Sequence, residues 1–403
     1  MSLSVLQLAN KGINPPDGGT MGITLFTREL ARLGHQVTLL ALTTEKHNNP
    51  DIFPESLVEY IHLLSVPVKT NPSGWKLLCH FTGSRKNAYM AKRFYHLTVK
   101  QKLTDLLKNS KFDIIQLEGP YMGLYLPIIR KYSNAAVTLR AHNLEYRIWE
   151  RKANLAKGFK KSLFKILSKE IFRLEHNIFQ AVEAILPVTQ IDAQQIATLA
   201  PNTPQKVIPF CIEKTETPAI DNTKQKDNIG YLGALDWQPN IEGLYWFMEK
   251  IWPYVKKQYP QASMQVAGRN APNRLIKDLT KQGIEYIGEV PDAVEFTTQQ
   301  SLMVVPLWSG SGIRVKIIEG MALAMPMVVT SMALEGIDAT NGKHLHVADN
   351  AEIFTQKIIH LLKHPDAAKA MGYEAREYAL SNFSAKNWFP ALTIFYEKIA
   401  HNE

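Results

Sequence analysis

Short apolar segments alternate with longer segments of helical periodicity along the chain, and this alternation limits the possible folds more than any other feature. In the first half, helices are predicted at Gly22–Leu33 and Ala88–Lys108. The strands predicted there are Ser4–Ala9, Gln36–Leu42, Leu57–Ser65, Phe112–Leu117, Ala136–Arg140 and Ala184–Val188. Strands that alternate with helices are typical of a parallel sheet covered by helices.

A second series of the same kind follows Glu213–Asp227, where Pro, Lys and Thr interrupt the pattern and indicate a linker. Its predicted strands are Asn228–Leu232, Ser263–Ala267, Ile284–Ile287, Ser301–Leu307 and Met327–Thr330, and its helices are Glu242–Tyr254, Ile313–Leu323 and Glu352–Lys363. The predicted fold class is therefore α/β, with two doubly wound, Rossmann-like domains. Ligands bind such sheets at the carboxyl ends of the strands, so we expect the site in a cleft between two facing domains.

Composition excludes several classes of protein. The 403 residues suit two domains at about 150 residues each. No apolar run approaches the roughly 18 residues of a membrane-spanning helix, and the N-terminus lacks the pattern of a signal peptide. Cys79 and Cys211 are too few and too far apart for a disulfide framework or a metal site. A cytoplasmic protein is therefore expected.

Positive charge is concentrated in the first half of the chain. Up to Ile208 there are 27 basic and 15 acidic residues, whereas the remainder holds 19 and 22. Such asymmetry indicates an anionic partner: phospholipid, nucleic acid or a phosphorylated substrate. No zinc-finger spacing, basic zipper or RNA-binding signature is present, so nucleic acid is the weakest of these.

The densest basic segment is Arg151–Arg173, in which eight basic residues face one acidic residue, Glu170, between apolar residues. Two interpretations stay open, because amphipathicity alone does not separate them: a helix that packs on the core, or one that lies on an anionic membrane. The residues predicted to meet membrane or acceptor are Lys157, Lys160, Lys161 and Lys165, with a second cluster at Arg85, Lys86, Lys92 and Arg93.

Two segments place polar or small residues just after predicted strands of the first half. Gly18 and Gly19 precede a helix, where the missing side chains let backbone N–H groups approach an anion. A plain structural turn explains the same pair equally well. His142 and Asn143 follow the strand Ala136–Arg140, which is where a cleft residue belongs in this architecture. A histidine that only caps the next helix is the alternative.

The most informative segment follows the strand Ser301–Leu307. Four small residues form a loop before a helix, which carries Arg314 and Lys316 at its start and Glu319 further along. That loop is Ser309, Gly310, Ser311 and Gly312. Small residues and cations at a helix N-terminus suit a diphosphate, and the carboxylate suits a ribose diol. The competing interpretation is a solvated loop with ordinary surface charges.

Four segments together resemble the retaining glycosyltransferases of the GT-B fold, family 4, in particular a branch of sugar transferases from bacterial exopolysaccharide loci. They are Pro16–Thr20 with Leu33–Val37, Arg140–Glu145, Tyr231–Asn240, and Val305–Leu307 through Gly310–Ala322. The resemblance implies a last helix that crosses back to the first domain. The expected domains are residues 1–212, which bind the acceptor, and 228–381, which bind the nucleotide-sugar, joined by a linker at 213–227 and followed by the helix at 382–403.

The roles that the resemblance implies are as follows. Gly18 and Gly19 lie beside the donor sugar and phosphate, and His142 contacts the sugar near the reacting centre. Gly310, Ser311 and Gly312 hold the diphosphate, Glu319 binds the ribose as the second glutamate of the family's E-x7-E motif, and Glu289 and Val290 lie beside the base.

Two departures from the family pattern bear on the diphosphate. Ser311 stands where the first glutamate of the motif is expected. Ala234 replaces the usual arginine, and the lysine expected near Ile241 and Glu242 is also missing. We therefore expect Arg314 and Lys316 to supply the positive charge instead, and we count them with His142 and Gly19 as the catalytic residues.

The implied reaction moves a sugar from a nucleotide diphosphate sugar, most simply a UDP-sugar, to a hydroxyl of a saccharide or lipid-linked acceptor. Fixed cations and helix dipoles stabilise the leaving diphosphate, so neither a metal nor another cofactor is expected. Nucleic acid is not an expected partner. A location on the inner face of the membrane, as a peripheral protein, would match the basic first half. The alternatives are a UDP-sugar epimerase of the same fold and an inactive nucleotide-sugar-binding partner.

Overall fold

A computed structural model describes residues 2–14, 18–44, 47, 53–70, 88–212, 227–310 and 312–401. Arg85, Lys86, Ser311 and all but the last residue of the predicted linker lie outside the described residues. The chain divides into two compact units. The first unit combines Met1–Cys211 with Ala385–Glu403, and the second is Ile212–Ser384.

The first unit is an α/β unit with six parallel strands. Its strands are β1 (Ser4–Ala9), β2 (Gln36–Thr43), β3 (Ile61–Pro67), β4 (Ile114–Glu118), β5 (Ala136–Ala141) and β6 (Ala184–Pro187). Its helices are α1 (Gly18–Arg32), α2 (Tyr89–Lys92), α3 (Leu97–Asn109), α4 (Leu126–Tyr132), α5 (Glu145–Leu155), α6 (Gly158–Ala181) and α7 (Gln190–Leu199), with short 3-10 helices at Glu55–Leu57 and Pro120–Tyr125. The helix Ala385–His401, α15, completes this unit.

The strand order of the first sheet is β3-β2-β1-β4-β5-β6, so the order reverses between β1 and β4. Successive side chains of a strand point to opposite faces, and both faces of β1 are buried. Leu6 and Leu8 face one apolar cluster, while Leu3 and Val5 face another. The second cluster contains Phe389, Leu392 and Tyr396 of α15, so this helix covers a face of the first sheet.

The second unit repeats the plan. Its strands are β7 (Asn228–Leu232), β8 (Ser263–Ala267), β9 (Glu285–Gly288), β10 (Leu302–Val305), β11 (Met327–Val329) and β12 (His346–Val347). Its helices are α8 (Gln238–Lys250), α9 (Trp252–Gln258), α10 (Asn273–Lys281), α11 (Ala293–Thr298), α12 (Val315–Ala322), α13 (Ala351–Lys363) and α14 (Pro365–Phe383). The strand order, β12-β11-β10-β7-β8-β9, reverses between β7 and β10.

The predicted fold class, two doubly wound α/β domains, is confirmed by these two sheets. Three predicted helices differ from the structure. The helix predicted from Gly22 begins at Gly18, so the glycine pair forms its first turn. The helix predicted over Glu242–Tyr254 is divided at Ile251, because Pro253 lacks an N–H and cannot continue the preceding helix.

The helix predicted over Ala88–Lys108 is also divided, between α2 and α3, for a tertiary reason. The hydroxyl of Tyr125 donates to the carbonyl of Phe94 at 2.8 Å and accepts from the N–H of His96 at 3.0 Å. The hydroxyl of Tyr125 thus provides hydrogen bonds for two backbone groups at the interruption of the helix. Buried backbone groups require such partners. Strand β12, with two residues, is too short for its pattern to be recognised in the sequence.

Candidate functional site

The carboxyl ends of the strands at each reversal of strand order carry most of the predicted site residues. In the first sheet, β1 leads towards Gly18 and Gly19 at the start of α1, and Gly18 is exposed. The neighbouring strands β4 and β5 lead to Glu118 and His142. Open α/β sheets bind their ligands at this position.

His142 is held by a buried carboxylate that the sequence analysis did not identify. Its Nε2 lies 2.8 Å from Oε2 of Glu118, the last residue of β4. The Glu118 side chain is completely buried, whereas a quarter of the His142 side chain is exposed. With Nε2–H donating to Glu118, Nδ1 is left as the acceptor, and it has no hydrogen-bond partner within the described part of the chain.

Four further side chains surround Glu118. Gln7 Nε2 donates to Oε1 at 3.1 Å, and Gln116 Nε2 donates to the same oxygen. Tyr396 of α15 in turn donates its hydroxyl to Gln116 Oε1. The guanidinium of Arg140 lies 3.9 Å from Glu118 Oε2 and donates to the carbonyl of Gly22 at 2.8 Å. The carboxylate therefore has one orientation, and it fixes the ring of His142.

This arrangement leaves His142 neutral and Glu118 ionised near pH 7. Burial acts to raise the pKa of Glu118, but the hydrogen bonds from His142 and Gln116 and the charge of Arg140 outweigh it and lower that pKa. Burial lowers the pKa of His142, with a smaller effect of Glu118 in the opposite direction. A neutral imidazole with an open Nδ1 can accept a hydrogen bond from a substrate hydroxyl.

A second pair of carboxyl groups follows His142. Leu144, the N-cap residue of α5, has no side chain that can cap the helix. The carboxylate of Glu175 in α6 caps it instead and accepts hydrogen bonds from the N–H groups of Glu145 and Tyr146 at 2.8 and 2.9 Å. Tyr121 donates its hydroxyl to Glu145 at 3.0 Å. Burial raises the pKa of Glu145, and the charge of Arg93 partly opposes this. The segment after His142 is thus anchored on both sides.

In the second unit, the loop after β10 approaches the start of α12. Gly310 and Gly312 have φ angles of +109° and +84°, which favour glycine. Arg314, the buried N-cap residue of α12, donates to the carbonyl of Gly312, and its guanidinium carbon lies 5.6 Å from the ring centre of Trp237. Ser309 donates to Glu242 at 2.8 Å.

Lys316 reaches from α12 to the loop after β7. Its Nζ donates to the carbonyl of Leu232 at 2.9 Å and to Asn240 Oδ1 at 3.3 Å, and it lies 4.6 Å from the ring centre of Tyr231. An ammonium has three N–H donors, so one is left for a ligand. Burial, followed by the charge of Arg314, lowers the pKa of Lys316 to about 7. A neighbouring anion would stabilise the charged form.

Glu319 lies three residues further along α12, on the same face of the helix as Lys316. Burial raises its pKa to about 7, and its carboxyl group has no hydrogen bond or ion pair among the described residues. Glu289 and Val290 follow β9; Glu289 is exposed and Val290 half-buried. The structure therefore brings the glycine loop, both cations and Glu319 to the reversal between β7 and β10.

The described residues hold no cluster of three or more His, Cys, Asp or Glu side chains suited to a metal ion. Within the same part of the chain, no helix has both the length and the apolar character needed to span a membrane.

Two family profiles cover most of the sequence. One, described as Glycosyltransferase Family 4, matches residues 16–215, and the other, described as Glycosyl transferases group 1, matches residues 226–364. The chain belongs to glycosyltransferase family 4.

Similar proteins agree with this assignment. This glycosyltransferase is 22% identical over 391 residues to an uncharacterized 44.6 kDa protein in the cps region of Klebsiella pneumoniae, which covers 93% of the chain and 95% of that relative. Sucrose-phosphate synthase from Thermosynechococcus elongatus superposes with a TM-score of 0.75 at 13% identity, over 100% of both chains. HepE from Anabaena, solved in complex with UDP, gives 0.66 at 12% identity, over 99% of this chain and 100% of HepE. The fold is therefore GT-B.

The glycosyltransferase contains functional candidates that the sequence analysis missed, and one signal was available for them. Glu118 follows an apolar strand in the same way as His142, so its position alone made it a candidate. The remaining members, Gln116, Arg140 and Tyr396, lie within strands or helices, and no local pattern marks their convergence. Asn240, which holds Lys316, is similarly recognisable only from the fold.

The predicted surface lysines of the glycosyltransferase are exposed, but one residue of the second cluster is not. Lys92, Lys157, Lys160, Lys161 and Lys165 are exposed. Arg93 is half-buried, with its guanidinium carbon 4.6 Å from the ring centre of Phe94, and its charge acts on Glu145. Arg93 therefore lies near the candidate site of the first unit. It is more buried than the prediction of a surface cluster implied.

Proposed function

We propose that this glycosyltransferase transfers a sugar from a UDP-sugar to a hydroxyl of a saccharide or lipid-linked acceptor during cell-surface polysaccharide synthesis, with retention of anomeric configuration. The observation that carries the proposal is Lys316, whose Nζ lies beside the loop after β7 while Glu319 stands on the same face of α12. The UDP complex of HepE and the cps-region location of the K. pneumoniae relative support the donor and the pathway class.

The spacing on α12 suits a nucleoside diphosphate. Three residues correspond to a rise of about 4.5 Å, so an anion at Lys316 and a diol at Glu319 are neighbours on the same ligand. The open carboxyl group of Glu319 accepts hydrogen bonds from two ribose hydroxyls, and Lys316 donates to a phosphate oxygen. Arg314 adds a second, fixed positive charge near the loop.

Lys316 also accounts for the departure from the family pattern at Ala234. A Cβ added to Gly233 would lie 3.0 Å from Lys316 Nζ and 2.9 Å from Asn240 Nδ2. The ammonium of Lys316 is therefore directly beside Gly233, the residue before Ala234. The cation that other members supply from the loop after β7 is, in our proposal, supplied from α12.

The chemistry follows from these positions. The bond between the anomeric carbon and the leaving phosphate oxygen breaks, the acceptor oxygen bonds to that carbon on the same face, and the acceptor proton passes to the leaving diphosphate. Lys316, Arg314 and the N-terminus of α12 stabilise the negative charge that develops, which requires no metal ion. Neutral His142, oriented by Glu118, accepts a hydrogen bond from the donor sugar through Nδ1.

Isothermal titration with UDP, GDP and ADP in buffer containing a chelator tests the donor site. We expect UDP to bind most tightly and Glu319→Gln to weaken it by about 10-fold or more, as for the loss of hydrogen bonds to a charged group. Glu377→Gln, an exposed change on α14, serves as the control. A preference for GDP or ADP would contradict the UDP assignment, and binding that requires a divalent metal would contradict the metal-free mechanism.

A further inference from the structure

Helices α5 and α6 form an antiparallel hairpin whose inner face is well packed near the sheet. Ser168 donates to the carbonyl of Tyr146 at 3.0 Å, and the rings of Trp149 and Phe164 have centres 5.8 Å apart. Leu167 and Ile171 are buried. Most apolar side chains of this half of the hairpin therefore pack inside the unit, although Ile166 is 37% exposed.

The tip of the hairpin is different. Leu155, the last residue of α5, is 75% exposed, and Phe159, near the start of α6, is 81% exposed. The chain turns between them through Gly158, with a φ of +57°. Two large apolar side chains at one turn, both in solvent, are not explained by packing within the unit, and adjacent exposed apolar groups indicate a contact surface.

The exposed charges around this tip are mostly positive, and Glu150 of α5 is the exposed exception. Seven of the eight basic residues between positions 151 and 173 are exposed: Lys152, Lys157, Lys160, Lys161, Lys165, Lys169 and Arg173. Glu170, the one acidic residue of this run, accepts from the N–H of Tyr89 in α2 at 3.1 Å, so its carboxylate is occupied by packing between helices. The outer surface of the hairpin is therefore strongly positive with an apolar end.

We propose that the tip of the α5–α6 hairpin docks on an anionic phospholipid surface, with Leu155 and Phe159 at the acyl boundary and the lysines at the headgroups. Lysines attract the negative surface, and apolar residues partition into its boundary. Nucleic acid would form ion pairs with the lysines but would leave the apolar side chain of Leu155 exposed to water. A second copy of the chain would bring two positive tips together.

The docking site lies at a defined distance from the reacting centre. Helix α5 begins three residues after His142 and ends at Leu155, and its 11 residues span about 16 Å. This surface extends the proposed function, because it would bring a lipid-linked acceptor within reach of the first unit's site.

Flotation with vesicles tests the inference. The full chain is mixed with phosphatidylcholine vesicles that contain 30% phosphatidylglycerol, about a third of the lipid. We expect binding at 0.05 M salt that falls at about 1 M, where charges are screened beyond about 3 Å. Changing Lys157, Lys160 and Lys161 together to Gln is expected to weaken binding by roughly 100-fold, and Leu155→Gln with Phe159→Gln by about 10-fold or more.

Matched controls separate the tip from general effects. Changing three exposed lysines elsewhere in the same unit, Lys102, Lys386 and Lys398, to Gln removes the same charge, and Ile394→Gln changes another exposed apolar residue, 56% exposed. Circular dichroism and the melting temperature verify that every variant is folded. These readouts do not involve the donor, so they stand independently of the glycosyl transfer proposal.

Three results would overturn the inference: equal binding of the tip variants and their controls, equal binding to purely phosphatidylcholine vesicles, and absence of binding by the wild-type chain at low salt. Two further results would assign the surface to another partner and equally refute lipid docking. In one, the tip variants convert a dimer to a monomer. In the other, they abolish an electrophoretic mobility shift of labelled RNA or DNA without affecting flotation.

Discussion

The affinity for UDP is expected to fall steeply with pH above neutrality, because the pKa of Lys316 is about 7 in the unliganded protein. Only the protonated ammonium pairs with the diphosphate, and the apparent Kd is the intrinsic Kd divided by the protonated fraction. That fraction is about one in eleven at pH 8 and about one in a hundred at pH 9, so the Kd rises about ninefold over this interval. The last phosphate pKa of UDP is near 6, so the diphosphate stays fully ionised over this interval.

Titration calorimetry at pH 7, 8 and 9 measures this dependence, and heats in two buffers of different ionisation enthalpy report the proton taken up on binding. In Lys316→Met we expect an affinity about 10- to 150-fold weaker at pH 7, which corresponds to the roughly 1.5–3 kcal/mol of a hydrogen bond to a charged group. The Kd of this variant should no longer change between pH 8 and 9. Lys257→Met, an exposed change on α9, should keep the wild-type profile. A wild-type Kd that is flat over this range, or a slope that persists without Lys316, would refute the reasoning.

Three further outcomes follow from the structure. Uridine, which carries no phosphate, should bind about tenfold more tightly at pH 8 than at pH 6 as Glu319 ionises through its pKa of about 7, and Glu319→Gln should remove the difference in a calorimetric titration. Glu118→Gln should lower the free energy of unfolding in urea by about 3–5 kcal/mol, because it leaves the buried guanidinium of Arg140 uncompensated; a change below 1 kcal/mol would contradict this. Phe389→Ala should cost about 3–5 kcal/mol in the same assay, since its ring is buried against Phe26 with centres 5.0 Å apart, and Ile394→Ala should cost far less.

The fold was predictable because continuous apolar strands such as β10 and β11 leave few alternatives to a parallel sheet covered on both faces. Candidates such as His142 and Lys316 were predictable for the same reason. Each follows a strand end or a helix start in the sequence pattern, which places it near the carboxyl ends of the strands. Their roles in binding and catalysis remain predictions.

Contacts between distant parts of the chain could not be predicted from local patterns. The pairing of His142 with Glu118 depends on β4 lying beside β5, and the interruption between α2 and α3 depends on Tyr125, 31 residues from Phe94 in sequence. The exposed apolar tip at Leu155 and Phe159 is equally invisible in the amphipathic pattern, since the same periodicity continues into the buried part of α6. Sequence periodicity shows that a helix has an apolar side but does not show how far that side is covered.

The helix α15 makes the first unit depend on the order of protein synthesis. Its residue Tyr396 donates to Gln116, 280 positions earlier, and Gln116 in turn donates to the carboxylate that orients His142. A nascent chain can complete the sheet of the second unit while the first unit still lacks a face of its core. A chain that ends before residue 385 would therefore contain every predicted donor-binding residue but would lack Tyr396, and we expect it to bind nucleotide with a less firmly held Glu118–His142 pair.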